Sequence, residues 1–233
     1  MSAEAPRDPR QGRLSPDYAE ATQRSEPTVT AGRLATDYQL AVAEMVNNPS
    51  AFCHLIVDEH FDGSGPSWPN DPRCEARRVD GGYRLLPLLD NDIVPIGAPV
   101  GSALRDVLVA ATFRKLGGPS GGVYGLFLRS GRNQAGRYYA AQVNDRGEVG
   151  IWRRDLERWV ELVPWTRSPT VRAGEATNDV SFESVGGRLT LVVNGQAAAS
   201  AHDAVLDQGG IGLLVGGSGN DVLVEQFVAY ALV

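Results

Sequence analysis

Carboxylates and aromatic rings are the side chains from which this sequence could build a chemistry. Asp155, Glu157 and Glu161 fall together in the run RDLERWVEL. Retaining hydrolysis of a glycosidic bond needs an acid and a nucleophile held about 5 Å apart. The spacing here does not set two carboxylates side by side on one strand, and Asp155 and Glu157 fall in a predicted turn. The cluster reads as a solvated hairpin tip, and no residue is assigned as catalytic. His54, His60 and His202 have no metal-pair spacing, and no Cys-x-x-Cys is present. No serine stands in a Gly-x-Ser-x-Gly elbow, although a triad assembled in space stays open. The glycine-rich run GGSGND precedes a strand pattern, so it lacks the helix dipole that a phosphate loop uses. Asp90, Asn91 and Asp92, or Asn220 and Asp221, could offer oxygens to calcium but read more simply as polar turns. No cofactor is implied.

A sheet face is the stronger candidate site. From Gly122 to Val163 the chain reads GVYGLFLRS, GRYYAAQVN, GEVGIWRR and RWVELV, separated by Gly, Asn and Asp. That is a strand–turn–strand meander. If Leu126 and Leu128 point inward, alternation sends Phe127 and Arg129 to the other face. By the same parity Tyr139, Ala141 and Val143 are core, and Tyr138 and Gln142 share the outer face. On the next segment Val149 and Ile151 point in and Trp152 points out. Glu183, in DVSFESV, is expected to join them. Aromatic rings beside Arg, Gln and Glu suit a sugar, whose C–H face stacks on rings while its hydroxyls take hydrogen bonds. The alternative is a face filled by its own side chains or covered by a helix.

The elements that must position these residues are nearly all strands. LIVDEHF (55–61) is the first, followed by a loop dense in breakers from Asp62 to Glu75. GGYRLL is the second, and a short edge strand is predicted near Ile93. RDVLVAATFRKL (105–116) is apolar on both faces in its first half, which marks a central strand. DVSFESV, RLTLVVN, QAAASA, GGIGLLVGG and DVLVEQFVAYALV complete the series. Asn194-Gly195 between two strand patterns is the strongest hairpin signal in the chain. The fold expected over 54–233 is all-β, a two-sheet antiparallel jelly-roll sandwich. Ahead of it, residues 1–30 are polar and Pro-rich and are expected to be disordered or extended. Leu34, Tyr38, Val42 and Met45 recur at helical spacing, so 31–50 is expected to hold an amphipathic helix and a linker.

The chain has 233 residues and a formal net charge of −6, which argues against nucleic acid or an anionic membrane surface as a partner held by bulk charge. No apolar run reaches the roughly 18 to 20 residues of a membrane helix. The polar beginning lacks the apolar core of a signal peptide, so a cytoplasmic location is the default. Cys53 and Cys74 flank the first strand and its loop. In an oxidising compartment they could form a disulfide; otherwise they are two unpaired thiols.

The strand series resembles the concanavalin A-like jelly-roll superfamily of legume lectins, laminin G-like modules and glucanases. Within it the chain is similar to bacterial 3-keto-disaccharide hydrolase-like modules. The residues that carry the resemblance are Val57-Asp58-Glu59-His60-Phe61-Asp62, Asp80-Gly81-Gly82-Tyr83-Arg84, Tyr124 to Arg129, Arg137-Tyr138-Tyr139, Asn178 through Asn194-Gly195, and Gly210-Ile211-Gly212-Leu213. Hydrolases of that superfamily resemble one another at a strand bearing Glu-x-Asp-x-x-Glu, which this sequence lacks. The resemblance therefore implies a non-catalytic module that binds carbohydrate or a protein surface. A hydrolase acting on a sugar derivative and a structural subunit docked through its N-terminal helix are the alternatives.

Overall fold

The structure, a computed structural model, describes residues 53–232 apart from 91, 102 and 132–135. The extended segment expected over 1–30 and the helix expected over 31–50 lie outside the described residues. The described chain is built from strands alone: β1 (Cys53–Glu59), β2 (Cys74–Val79), β3 (Gly82–Pro87), β4 (Ile93–Gly97), β5 (Val107–Gly117), β6 (Val123–Ser130) and β7 (Arg137–Asn144), then β8 (Glu148–Asp155), β9 (Arg158–Arg167), β10 (Asn178–Val185), β11 (Arg188–Val193), β12 (Gln196–His202), β13 (Gly210–Gly216) and β14 (Asp221–Leu232).

They form two antiparallel sheets. One runs β12-β11-β10-β5-β14-β3-β2, with β1 also paired to β14; the other runs β4-β13-β6-β7-β8-β9. The inner faces follow the predicted parity. Val107, Val109, Phe113, Val180, Phe182, Val222 and Val224 of the first sheet meet Tyr124, Leu126, Leu128, Tyr139, Ala141, Val143, Val149 and Ile151 of the second in one core. β5, between β10 and β14, is the central strand its two apolar faces predict. Asn194 and Gly195 have φ of 51° and 77°, the paired positive values of a type I′ hairpin.

Two strands extend beyond the sequence expectation. β2 lies inside what reads as the tail of a loop and the start of the next segment. Its CEARRV pairs only with β3, and Glu75, Arg77 and Arg78 guard it as an edge. β9 continues through Pro164 to Arg167, where the sequence reads as a loop. Proline is tolerated there because β9 is also an edge. The disulfide is a correction: no bond joins Cys53 and Cys74. Cys53 lies opposite Leu232 at one end of β14. Cys74 lies opposite Pro87, past the point where β3 pairs with Val222 at the other end. At about 3.3 Å per residue the dozen positions between them span roughly 40 Å, far beyond the roughly 4–7 Å between Cα atoms that a disulfide spans. The Cys74 thiol is buried, which pushes its pKa up to about 11.

The two sheets are tied at one end by Arg129. Its Nε donates to the Arg105 carbonyl at 3.0 Å, Nη1 to the Leu206 carbonyl at 2.8 Å, and Nη2 to the Gly186 carbonyl at 2.7 Å and to Asp106 at 3.3 Å. The residue is only 2% exposed. Truncation would leave the Leu206 carbonyl buried without this donor, at about 1–3 kcal/mol before relaxation, and would remove three further contacts that are part-buried. Arg129→Met is expected to lower unfolding stability by about 3 kcal/mol in urea titration, within the range for a broken buried polar network. Arg129→Lys should recover only part of it, because one ammonium cannot reach acceptors in so many directions. A loss below about 1 kcal/mol in Arg129→Met would mean that the sheets do not depend on this contact.

Candidate functional site

The outer face of the six-stranded sheet is built by the residues that alternate with its core positions. On β7 these are Tyr138, Ala140 and Gln142; across them on β8 lie Arg154, Trp152 and Gly150, and on β6 Phe127 and Gly125 face Ala140 and Gln142. Rings cover the backbone where side chains are missing. The Phe127 ring lies over Gly212 of β13, where an added Cβ would come within 2.7 Å of it. The Trp152 indole folds across Gly150, toward Gln142, and an added Cβ there would overlap it.

Two aromatic groups result. At one end Phe127 and Tyr138 pack at 5.5 Å, and Tyr138 meets Trp159 edge-on at 5.9 Å. They form a small apolar cluster with Ala140, Leu214 and Ile93, separate from the main core. Toward the other end Trp152 and Trp165 lie 4.7 Å apart, and the Trp165 side is exposed to solvent. Gln142 lies between Gly125 and Gly150, under the reach of Trp152. It is only 5% exposed, and its amide makes no hydrogen bond among the described residues. Its polar atoms still reach the open side of the face, so they are free to bond a ligand or water there.

A pocket opens at the Tyr138 end. Its volume is about 460 Å³, and its wall includes Arg73, Asp92, Ser130, Tyr138, Arg154 and Trp159. Arg154 stacks on Trp159 at 5.0 Å. Arg73 is held by Asp71 at 2.7 Å and Asp92 at 3.0 Å. Burial pushes the Tyr138 hydroxyl up to about 12, against the pull of Arg154 and Arg73.

Of the site residues expected from sequence, Phe127, Tyr138, Gln142 and Trp152 thus share one face. Arg129 does not. The ladder slips between Phe127 and Ser130 opposite Gly212 and Gly210, and Arg129 takes a φ of 58°. This bulge breaks the alternation and turns the guanidinium between the sheets. Glu183 does not join them either. It lies on β10, across from Leu108 and Thr190, on the outer face of the other sheet. Strand parity alone could not tell which sheet a segment enters. Arg154, Trp159, Trp165 and the flanking glycines are the residues that sequence reasoning passed over. Arg154 and Trp159 were legible from the β8–β9 hairpin by the parity already applied to Trp152.

The other candidates are spoken for. Asp155 pairs with Arg137 at 2.8 Å and Arg158 at 3.5 Å beside the hairpin tip. Asp92 is bound by Arg73, and Asp221 by Arg84 at 2.5 Å. Among the described residues no group of three or more His, Cys, Asp and Glu side chains is placed to hold a metal ion.

No protein-family model matches the chain, and no curated protein matches it. Solved structures do match. A Bacillus subtilis protein described as having a galectin-like fold shares 12% identity at a TM-score of 0.60, over 77% of this chain and 96% of that one. The exoplasmic/lumenal domain of VIP36 shares 12% at 0.56, over 77% of this chain and 90% of that one. An endo-β-galactosidase from Clostridium perfringens that releases GlcNAcα1-4Gal shares 8% at 0.55, over 76% of this chain but 62% of that one. The chain therefore shares the fold of these structures, a sandwich of two antiparallel sheets.

Two measurements check this geometry. Gly150→Ala should displace the Trp152 indole, the far end of a side chain, and leave the strands in place. Near-ultraviolet circular dichroism should then lose the signal of the Trp152–Trp165 pair, while the far-ultraviolet spectrum stays unchanged. Glu183 tests the opposite face. Burial raises its pKa and Arg188 only partly opposes this. In the window between the unfolded and the raised native value, the native state holds more of the proton. Stability contributed by this group therefore falls as pH rises through that window. Glu183→Gln should stabilise the domain at neutral pH, and the gain should shrink as pH falls through that window and be absent below the unfolded value.

Proposed function

We propose that the chain is a non-catalytic carbohydrate-binding module whose ligand lies across the outer face of the six-stranded sheet. The single observation that carries this reading is Gln142, whose amide is almost wholly enclosed on that face with its hydrogen-bonding capacity unused. A sugar hydroxyl both donates and accepts, which matches both ends of an amide. Trp152 and Trp165 beside it supply ring area for the apolar side of a sugar. The galectin-like fold agrees with such a use of the sheet, and the sequence resemblance to 3-keto-disaccharide hydrolase-like modules then reflects a shared scaffold.

The carboxylates favour binding over hydrolysis. Glu161 lies opposite Trp152, and Glu148 is at the far end of β8, opposite Arg167, with its side chain held by Asn144 at 2.8 Å. Their backbone positions are four residues apart along β8, about 13 Å at 3.3 Å per residue. A glycosidase pair stands about 5–9.5 Å apart.

The test is binding of an oligosaccharide panel by wild type, Gln142→Leu and Trp152→Ala. A ligand of wild type should bind Gln142→Leu about five- to thirtyfold more weakly, the loss of one to two hydrogen bonds at about 1 kcal/mol each. Trp152→Ala should lose more, because the indole supplies the larger contact. Both variants should unfold at nearly the wild-type denaturant concentration. Unchanged affinity in both would remove this face as the site.

A further inference from the structure

At the Tyr138 end of the same face, two hydrogen-bond donors line the pocket. Tyr138 is 4% exposed, yet its hydroxyl makes no hydrogen bond among the described residues. The ring is packed by Phe127 and Trp159, so the hydroxyl is the end left for the pocket that Tyr138 lines. Arg154 lines that pocket too, and no carboxylate among the described residues pairs with it; its contact is the Trp159 ring. Its neighbours differ. Arg137 and Arg158 share Asp155, and Arg153 is paired with Asp203. An arginine stacked on an indole keeps its fork of donors free at the edge.

Resting on the sugar-binding reading, we infer that this pocket takes the carboxylate of an acidic sugar, bound by the Tyr138 hydroxyl and the Arg154 guanidinium with the ring against Trp159. A carboxylate accepts at two oxygens, matching one hydroxyl donor and one planar fork. The wall also holds a negative group, Asp92, but Arg73 binds it at 3.0 Å and offsets its charge. The phenol stays protonated, and so a donor, throughout the neutral range because burial pushes its pKa up to about 12. Tyr138 is four residues from Gln142 on β7, about 13 Å along the strand. The two sites therefore take different rings of one oligosaccharide.

The experiment is calorimetry on the full chain with a panel of uronic-acid oligosaccharides, each paired with its own methyl ester and with a sulfated neutral counterpart. The acid form of the best ligand should bind at least tenfold tighter than its ester. Arg154→Gln should erase that preference, and Arg154→Lys should restore part of it, with circular dichroism confirming the fold of each. Tyr138→Phe should weaken the acid about threefold or more and the ester little. Trp152→Ala should weaken acid and ester alike. Equal binding of acid and ester, or an acid preference that survives Arg154→Gln, overturns the inference and leaves neutral sugar binding standing. A sulfated neutral sugar that binds more tightly than the acid overturns the carboxylate assignment. Failure of every member to bind overturns both readings.

Discussion

One buried guanidinium shapes both the sandwich and its outer face. Arg129 sits at the end of β6, a strand whose alternation would put it beside Phe127 on the outer face. Instead a bulge with a left-handed backbone swings it between the sheets, where carbonyls from the Arg105, Gly186 and Leu206 segments accept its hydrogen bonds. A non-glycine residue in that conformation is disfavoured by about 1–2 kcal/mol, and the four contacts outweigh that cost. The consequence reaches the face. With Arg129 withdrawn, Ser130 and Gly131 line the pocket wall. The cations at that end are Arg73, which its carboxylates hold, and Arg154 on β8, opposite Tyr138.

The face itself is organised by what is missing from it. Gly125, Gly150 and Gly212 lie on three of its strands, and two of them are roofed by rings from neighbouring positions. A ring laid flat over a glycine contributes apolar area without standing proud of the sheet. It also closes the space around Gln142 from the side. This explains how an outward residue becomes almost wholly enclosed on a face that still presents Trp165 to solvent. The same arrangement keeps the aromatic groups apart: the Phe127–Tyr138–Trp159 group near the hairpin end and the Trp152–Trp165 pair away from it.

Much of this was legible in the sequence where a local rule applied. Period-two alternation across β6, β7 and β8 put Phe127, Tyr138, Gln142 and Trp152 on one face, because each segment is regular at those positions. It failed at Arg129, where the bulge inserts a residue and its acceptors come from segments distant in the chain. It failed for Glu183 for another reason: alternation assigns a side of a strand, never the sheet that the strand enters. The edge strands β2 and β9 were partly hidden, since charges and a proline are what edges carry and also what loops carry. Cys53 and Cys74 show the same limit, being close in sequence but set at opposite ends of β14 by the pairing of β1 and β3.

On the proposed reading, the layout of the face decides how firmly it can hold a ligand. One stacked ring with two or three hydrogen bonds, at about 1 kcal/mol each, gives a dissociation constant on the order of millimolar. The shallow enclosure at either subsite improves on this only modestly. Two such subsites on one rigid strand behave differently when one oligosaccharide spans them. The second ring then binds at the effective concentration set by the first, and the affinities combine. β7 supplies that rigid spacing: Gln142 is paired to both β6 and β8, and Tyr138 to β8, one residue past the end of the β6 ladder. A face of this kind selects by the distance between a charged sugar and a neutral one more than by the fit of either alone.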